Sequence, residues 1–165
     1  MFMTFRIGLG IDSHAFETQV TEKAFLIGGV EIPSHLPVQS HSDGDVVLHS
    51  LFNALSSAIG EKSIGQFFPD TAEENKGKDS REFIRTILRK VREKNFLVEN
   101  VVCSLECKTP KIAPIEMKIK QNVAALLNIS PDAVAVHATT GEGLTSFGQG
   151  KGLYCQCVLL LQGTH

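Results

Sequence analysis

The sequence lacks a long hydrophobic run. No window approaches the roughly eighteen consecutive apolar residues that indicate a membrane-spanning helix. The segment Met1–Gly8 also lacks the basic stretch and apolar core of a secretory signal. We therefore expect a soluble cytoplasmic protein with no membrane partner.

An excess of positive charge is also missing. The 16 Lys and Arg residues are balanced by 18 Asp and Glu residues, which gives a formal net charge of −2. Proteins that bind DNA, RNA or anionic lipid usually carry a basic patch that neutralises phosphate groups. The composition therefore argues against a nucleic-acid partner.

Cysteine is scarce and lacks the spacing of a zinc knuckle. The four cysteines form the pairs Cys103/Cys107 and Cys155/Cys157, and both pairs fall in strand-like segments. Cysteine is often fully buried, and both spacings suit one face of a strand. We expect reduced, buried thiols that bind no metal.

Length and pattern indicate one domain covering residues 1–165. The 165 residues suffice for a substantial core, and strand-like and helix-like segments alternate without repeats. We predict an α/β (α+β) fold with a four-stranded main sheet, about three helices and a small β-hairpin. The predicted strands are 5–12, 97–107, 133–139 and 152–162, and the hairpin pairs 24–27 with 30–32 around Gly28 and Gly29.

Three helices are predicted from apolar spacing and from their first residues. One spans 45–59, with Ser42 in a plausible N-cap arrangement before it. The second begins at Asp79 with a capping-box pattern, and the third follows Pro114. The glycine-rich stretch 141–152 indicates a loop at an interface or pocket.

The first strand ends on a possible metal chelate. Asp12 and His14 lie two residues apart, so strand periodicity places both side chains on one face. His49 lies at the start of the first predicted helix, in a segment that also contains His41. Two imidazoles and one carboxylate leave a tetrahedral zinc ion one open position. Taken alone, the Asp-x-His spacing is more typical of a structural or capping role, and the nearby histidines and carboxylates of residues 41–49 are what favour a metal site.

Two other segments suit phosphate or nucleotide binding. Residues 108–111 follow a predicted strand, and Lys111 offers a cation. Residues 137–143 end another strand with the hydroxyls of Thr139 and Thr140 and with Glu142, which can hold a hard cation. Each segment alone is also typical of an ordinary strand-end turn.

The order of these motifs is highly specific in combination. Over essentially its whole length the sequence resembles the 2-C-methyl-D-erythritol 2,4-cyclodiphosphate synthase family of the non-mevalonate isoprenoid pathway. The resemblance is carried by the segments 6–14, 39–49, 67–71, 78–81, 109–111 and 138–142.

The resemblance implies a role for each matching residue. Asp12, His14 and His49 match the family's zinc ligands, and Glu142 matches the ligand of a second ion, Mg²⁺ or Mn²⁺. His41 and Thr140 match residues that assist the reaction at phosphorus, and Ser42 matches the partner of His41 beside the reacting phosphate. The implied substrate-binding residues are Asp12, His14, His41, Ser42, Ser63, Ile64, Gly65, Phe68, Pro69, Asp70, Thr71, Pro110, Lys111, Thr139, Thr140, Gly141 and Glu142.

The implied activity is that of a phosphorus–oxygen lyase. Such an enzyme converts 4-diphosphocytidyl-2-C-methyl-D-erythritol 2-phosphate to the 2,4-cyclodiphosphate and releases CMP. The family also implies a homotrimer whose active sites are shared between subunits. Two other classes use the same residues: a zinc-dependent hydrolase of nucleotide diphosphates, and a nucleotide-binding module without catalysis.

The sequence departs from the family pattern at three positions. Ser63 stands where the family has an aspartate that holds the ribose, so we expect a weaker ribose contact. Ser146 and Gln149 replace an aromatic residue and an arginine near the trimer axis. Lys151 replaces the missing arginine only if its side chain points toward the trimer axis. We assign no isoprenoid ligand at that axis.

Overall fold

The computed structural model describes residues 3–164. That range contains six strands and four α-helices, together with short 3-10 turns at Glu73–Asn75, Pro131–Ala133 and Gly141–Gly143. The elements in chain order are β1 (Phe5–Ala15), β2 (Leu26–Ile27), β3 (Val30–Glu31), α1 (Val46–Ala58), α2 (Ile64–Phe67), α3 (Ser80–Glu93), β4 (Phe96–Glu106), α4 (Glu116–Leu127), β5 (Val134–Thr139) and β6 (Gly152–Gly163).

The main sheet has four strands in the order β1-β6-β4-β5. β4 and β5 run parallel, and the other neighbouring strands are antiparallel. β1 and β5 therefore lie at opposite lateral edges of the sheet. The predicted hairpin forms as β2 and β3, and its turn residues Gly28 and Gly29 have φ angles of 58° and 74°. The predicted α/β architecture is thus confirmed.

Helix α1 packs against β1 and β6 unusually closely because β1 has glycine on that face. A Cβ atom on Gly8 would lie 2.0 Å from the carbonyl oxygen of Ala54, and one on Gly10 would lie 2.1 Å from that of Ser50. Only glycine permits this approach, which brings the first turns of α1 next to the end of β1.

The start of α1 differs from the sequence prediction. Asp45, not Ser42, is the N-cap: its Oδ1 accepts hydrogen bonds from Val47 N and Leu48 N, each 3.1 Å long. The same carboxylate accepts bonds from the turn amides of Gly28 and Gly29. Asp45 therefore joins α1 to the hairpin. A serine hydroxyl has too little acceptor capacity to serve four amides.

The other helix boundaries follow the predictions, with one addition. Asp79 caps α3 by accepting from Arg81 N, and α4 begins two residues after Pro114. The four-residue helix α2 was not predicted, because a single turn is too short to produce a periodic pattern.

All four cysteines are free thiols and are buried, as predicted. Cys103 on β4 faces Cys157 on β6, with their Sγ atoms 3.2 Å apart, and Cys155 shares that face. Cys107 lies one residue beyond β4 rather than within it. Burial raises the pKa of Cys107 to about 11.

The sheet face opposite α1 is apolar along β1. Phe5, Ile7, Leu9 and Ile11 all point to this face, and each is at least half exposed. A row of this kind usually marks an interaction surface. Among the described helices, none combines the length and apolar character required to cross a membrane.

Candidate metal centre and its cavity

Asp12, His14 and His49 form one compact cluster. The Oδ2 atom of Asp12 lies 2.8 Å from His14 Nε2 and 3.1 Å from His49 Nδ1. The two imidazole nitrogens are 3.3 Å apart. Asp12 and His14 project from β1 on the α1 side because they share the parity of Gly8 and Gly10, and His49 lies in the first turn of α1.

These spacings match the coordination shell of zinc. Ligands held about 2.0 Å from a tetrahedral ion are separated from one another by about 3.3 Å. Within residues 3–164 this is the group of three His, Cys, Asp or Glu side chains that could hold a metal ion. The carboxylate and imidazole donors also suit zinc chemically. The cluster fits a zinc ion and leaves a fourth position open.

The carboxylate and the imidazoles of the cluster stabilise one another's charged forms. Burial alone would raise the pKa of Asp12, but hydrogen bonds from His14 and His49 hold it at about 2. Burial would lower the pKa of His49, but the hydrogen bond and charge of Asp12 raise it above its ordinary value. The carboxylate is therefore ionised at neutral pH, as a metal ligand must be.

The cluster opens into a cavity of about 210 Å³. Polar side chains lie on one side of it, and the aromatic rings of Phe68 and Phe83, with centroids 4.3 Å apart, lie on another. The residues that line it are Asp12, His14, Gln39, Ser40, His41, Ser42, His49, Ile64, Gly65, Phe68, Asp70, Asn75 and Phe83.

His41 connects the cavity to the segment 69–78. Its Nε2 lies 3.2 Å from the carbonyl oxygen of Ala72, and its own carbonyl accepts a 2.8 Å bond from Gly77 N. The buried Asn75 donates to the carbonyl of Pro69 over 3.0 Å. These bonds hold the segment that carries Asp70 across the mouth of the cavity.

Ser42 lies behind the cluster, at the buried side of His49. Its Oγ is 3.1 Å from His49 Nε2, and the residue is 8% exposed. The hydroxyl that the family pattern places beside a phosphate is therefore hydrogen-bonded to an imidazole in this structure.

The predicted substrate residues near α2 divide into three sets. Ile64, Gly65, Phe68 and Asp70 line the cavity, whereas Pro69 and Thr71 adjoin it without lining it. Ser63 lies on a separate shallow depression, and its backbone N–H donates to the side chain of Gln66 over 3.3 Å. The reduced ribose contact expected of Ser63 stays a prediction.

The residues predicted to bind the nucleotide and the diphosphate lie at the same end of the sheet as the metal cluster, but at the opposite lateral edge. Thr139 is opposite Glu106, which is opposite Tyr154, which is opposite Ser13. Three interstrand steps thus separate the metal cluster from the end of β5, a distance of roughly 14 Å. None of the residues Pro110, Lys111, Thr139, Thr140, Gly141 and Glu142 lines the cavity around Asp12.

The loop beyond β5 exposes its functional groups. Thr139, Thr140 and Glu142 are exposed, and Glu142 has a φ angle of 55° that turns its side chain out of the regular backbone direction. Lys111 is likewise exposed beside the half-buried Pro110. The side chain of Gln149 donates to the Gly143 carbonyl over 3.3 Å, so it is engaged within its own loop.

Sequence reasoning did not assign four residues that line the cavity: Gln39, Ser40, Asn75 and Phe83. Phe83 lies on the buried face of α3, and helical spacing can indicate a core residue but cannot show that the core borders a cavity. Asn75 lies in a 3-10 turn without periodicity. Gln39 and Ser40 immediately precede His41 in the sequence, and this adjacency could have identified them.

The fold and the cluster together define an α/β protein with a candidate metal centre at the junction of a strand end and a helix start. Comparison with known proteins identifies it further. The family model named YgbB matches residues 5–162, and the chain belongs to the YgbB family. The family resemblance found in the sequence motifs is thereby confirmed.

Related proteins carry one name. The 2-C-methyl-D-erythritol 2,4-cyclodiphosphate synthase of Xylella fastidiosa is 43% identical over 156 residues, which are 94% of this chain and 87% of that protein. The synthase of Erwinia tasmaniensis is 44% identical and covers 94% and 98% of the two chains. The structure of IspF from Plasmodium falciparum in complex with CDP is similar with a TM-score of 0.84 and 32% identity, over 98% and 97% of the two chains.

Proposed function

We propose that this protein converts 4-diphosphocytidyl-2-C-methyl-D-erythritol 2-phosphate to 2-C-methyl-D-erythritol 2,4-cyclodiphosphate and releases CMP. The observation that carries the proposal is the cluster of Asp12, His14 and His49 in the lining of the cavity, in a chain whose relatives bear the synthase name. The proposal treats residues 1–165 as one catalytic domain acting in the cytoplasm.

Asp12, His14 and His49 would hold a zinc ion, and Glu142 would hold Mg²⁺ or Mn²⁺. Bound there, the ions would supply Lewis acidity and charge neutralisation at the diphosphate. The donor atoms of Asp12, His14 and His49 already have the spacing of a tetrahedral shell. Little rearrangement of the protein is therefore needed to bind the metal.

The reaction needs no protein nucleophile. An oxygen of the substrate's 2-phosphate forms a bond to the β-phosphorus, while the bond from that phosphorus to the bridging oxygen breaks and the electron pair leaves with CMP. The protein must fold the substrate back on itself and stabilise negative charge. We assign hydrogen-bond donation to the reacting phosphates to His41 and Thr140.

The cavity residues suit the sugar portion of this substrate. Asp70 is exposed at the cavity mouth and can accept hydrogen bonds from hydroxyl groups, and Phe68 offers an apolar surface to the methyl-bearing carbon chain. Ile64 and Gly65 line the cavity nearby, and the backbone N–H of Ile64 donates to Asn53 Oδ1 over 2.9 Å. We assign the cytidine portion to Pro110 and Lys111, and the diphosphate to Thr139, Thr140 and Gly141.

We further propose a homotrimer with shared active sites. The metal cluster lies beside β1 and the proposed diphosphate loop lies beyond β5, at opposite edges of one sheet. A head-to-tail contact that joins the β1 edge of one copy to the β5 edge of the next unites the two groups and closes into a ring. The exposed row of Phe5, Ile7, Leu9 and Ile11 offers apolar area for such assembly.

Phosphorus NMR of the reaction products tests the proposed function. The purified chain, supplied with the cytidine-linked substrate, zinc and magnesium, should yield CMP and a cyclic diphosphate in equal amounts. A zinc-dependent hydrolase would instead deliver water to phosphorus and yield two open-chain phosphates. No turnover at all would support a nucleotide-binding module.

A further inference from the structure

The two ring nitrogens of His49 face different partners. Nδ1 points into the cluster, 3.1 Å from Asp12 Oδ2 and 3.3 Å from His14 Nε2. Nε2 points away from the cluster, 3.1 Å from the hydroxyl oxygen of Ser42. Any metal held with Asp12 and His14 must therefore be bound through Nδ1.

Binding through Nδ1 fixes where the remaining proton lies. A metal-bound nitrogen uses its lone pair, so the neutral imidazole must carry its proton on Nε2. That N–H needs an acceptor, because His49 is only 6% exposed and a buried donor without a partner is costly. The Ser42 oxygen lies at hydrogen-bonding distance from it.

Among residues 3–164, no other side chain provides an equivalent acceptor for His49 Nε2. The nearest carboxylate oxygen on that side, Oδ1 of Asp43, lies 4.0 Å from His49 Nε2, beyond hydrogen-bonding distance. Asp43 is itself engaged with Ser80, whose backbone N–H donates to Asp43 Oδ2 over 2.8 Å. The same contact ties the loop that carries Ser42 to the start of α3. Ser42 is thus held in place beside the ring.

We propose that Ser42 is a positioning residue of the metal centre, which holds His49 with its proton on Nε2 and directs Nδ1 at the ion. The inference deepens the proposed function, on whose metal site it rests. It adds a role that the family pattern does not give to Ser42, since that pattern implies contact with substrate phosphate. The two roles predict different effects on metal binding without substrate.

Zinc affinity measured by competition with a chromophoric chelator, without substrate, tests the inference. Ser42→Ala should weaken zinc binding about 10- to 100-fold, which is the usual effect of removing the partner of a ligating histidine. Ser42→Thr keeps the hydroxyl and should restore most of the affinity. The matched control is Ser104→Ala, because Ser104 Oγ lies 3.0 Å from an imidazole nitrogen of His137, a serine–histidine contact away from the metal cluster.

The measured zinc affinities show whether Ser42 positions His49 at the metal centre. Zinc affinity of Ser42→Ala within about threefold of the unmodified chain would overturn the inference, and so would equal losses in Ser42→Ala and Ser104→Ala. If the unmodified chain binds no zinc, the metal site of the proposed function fails, and the inference fails with it.

A measurement on the unmodified chain avoids any folding defect of the variants. In the zinc-loaded protein labelled with ¹⁵N-histidine, NMR should show His49 protonated on Nε2 with Nδ1 bound to the metal. A proton on Nδ1 would overturn the inference irrespective of the variants.

Discussion

Asp12 Oδ2 and His49 Nδ1 lie 3.1 Å apart although 37 residues separate them in the sequence. The contact depends on how closely α1 approaches β1, because Asp12 lies near the end of β1 and His49 lies in the first turn of α1. Gly8 and Gly10 set that approach: their missing Cβ atoms leave room for the backbone of α1. Backbone packing therefore brings the three side chains of the cluster together without requiring a bound metal.

Gly10→Ala should therefore damage both stability and metal binding. The added Cβ would lie 2.1 Å from the Ser50 carbonyl oxygen, so α1 must move away and take His49 with it. We expect the free energy of unfolding to fall by about 2–3 kcal/mol and zinc affinity to fall with it. Denaturant titration and a zinc competition assay measure the two effects.

Gly65→Ala is the control for this substitution. A Cβ on Gly65 meets nothing within 4 Å, and its backbone lies in a helix. Its stability should equal or slightly exceed that of the unmodified chain, because alanine has the higher helix propensity. Equal stabilities of the Gly10 and Gly65 variants would show that α1 does not depend on the glycine.

His49→Ala should remove most of the bound zinc. The substitution deletes one of three donors from the cluster and leaves only Asp12 and His14. Metal analysis after dialysis should show far less than one zinc per chain. His137→Ala, which removes an exposed histidine bonded to Ser104, should keep its zinc. A full zinc complement in the His49 variant would contradict the ligand assignment.

The two N-cap aspartates should differ strongly in their effect on stability. Asp79→Ala removes one cap at a partly exposed position and should cost about 1 kcal/mol. Asp45→Ala removes a fully buried carboxylate. That carboxylate accepts hydrogen bonds from the backbone N–H groups of Gly28, Gly29, Val47 and Leu48. We expect a loss of about 3 kcal/mol or more, since unsatisfied buried donors add to the lost cap. Urea titrations that give equal losses would contradict this account.

The cysteines should resist modification in the folded protein. All four thiols are at most 4% exposed, and burial raises the pKa of Cys107 to about 11, so about one Cys107 in a thousand is a thiolate at pH 8. Ellman's reagent should label almost none of them until denaturant is added, and four afterwards. Serine replacement of Cys107 should leave activity within a few-fold. Rapid labelling of the native chain would contradict the described burial.

Much of this architecture follows from local sequence patterns. Apolar spacing predicted α1 and α3, and Gly28 with Gly29 predicted the hairpin turn, because each signal acts within a few residues. Strand periodicity also predicted that Asp12 and His14 share one face of β1, where Asp12 Oδ2 and His14 Nε2 lie 2.8 Å apart. Motifs that depend only on neighbouring residues were therefore found correctly.

The errors arose where distant elements meet. The N-cap of α1 was placed at Ser42, since nothing local shows that the hairpin amides require the carboxylate of Asp45. The contact of Ser42 with His49 was missed for the same reason. Likewise, the separation of Asp12 from Glu142 depends on the strand order β1-β6-β4-β5, which local patterns do not reveal.

Because this strand order places the two halves of the proposed site at opposite edges of the sheet, each half can be inactivated separately to test whether sites are shared. His49→Ala damages the half of the site beside β1, and Glu142→Ala damages the half beyond β5. Each variant alone should be inactive. If sites are shared, a mixed trimer contains one interface that joins an intact His49 to an intact Glu142 of the adjacent copy. If each site lies within one chain, no mixture contains an intact site.

Co-expression of the two inactive chains should therefore restore activity. Random assembly in equal amounts leaves one intact site in most trimers, so about a quarter of the unmodified activity is expected. Native mass spectrometry verifies that mixed trimers have formed, and trimers of either variant alone provide the inactive control. Each variant must also keep the stability of the unmodified chain, so that a lack of activity cannot come from unfolding. Verified mixed trimers of stable chains that remain inactive would defeat the proposal that neighbouring chains complete each site.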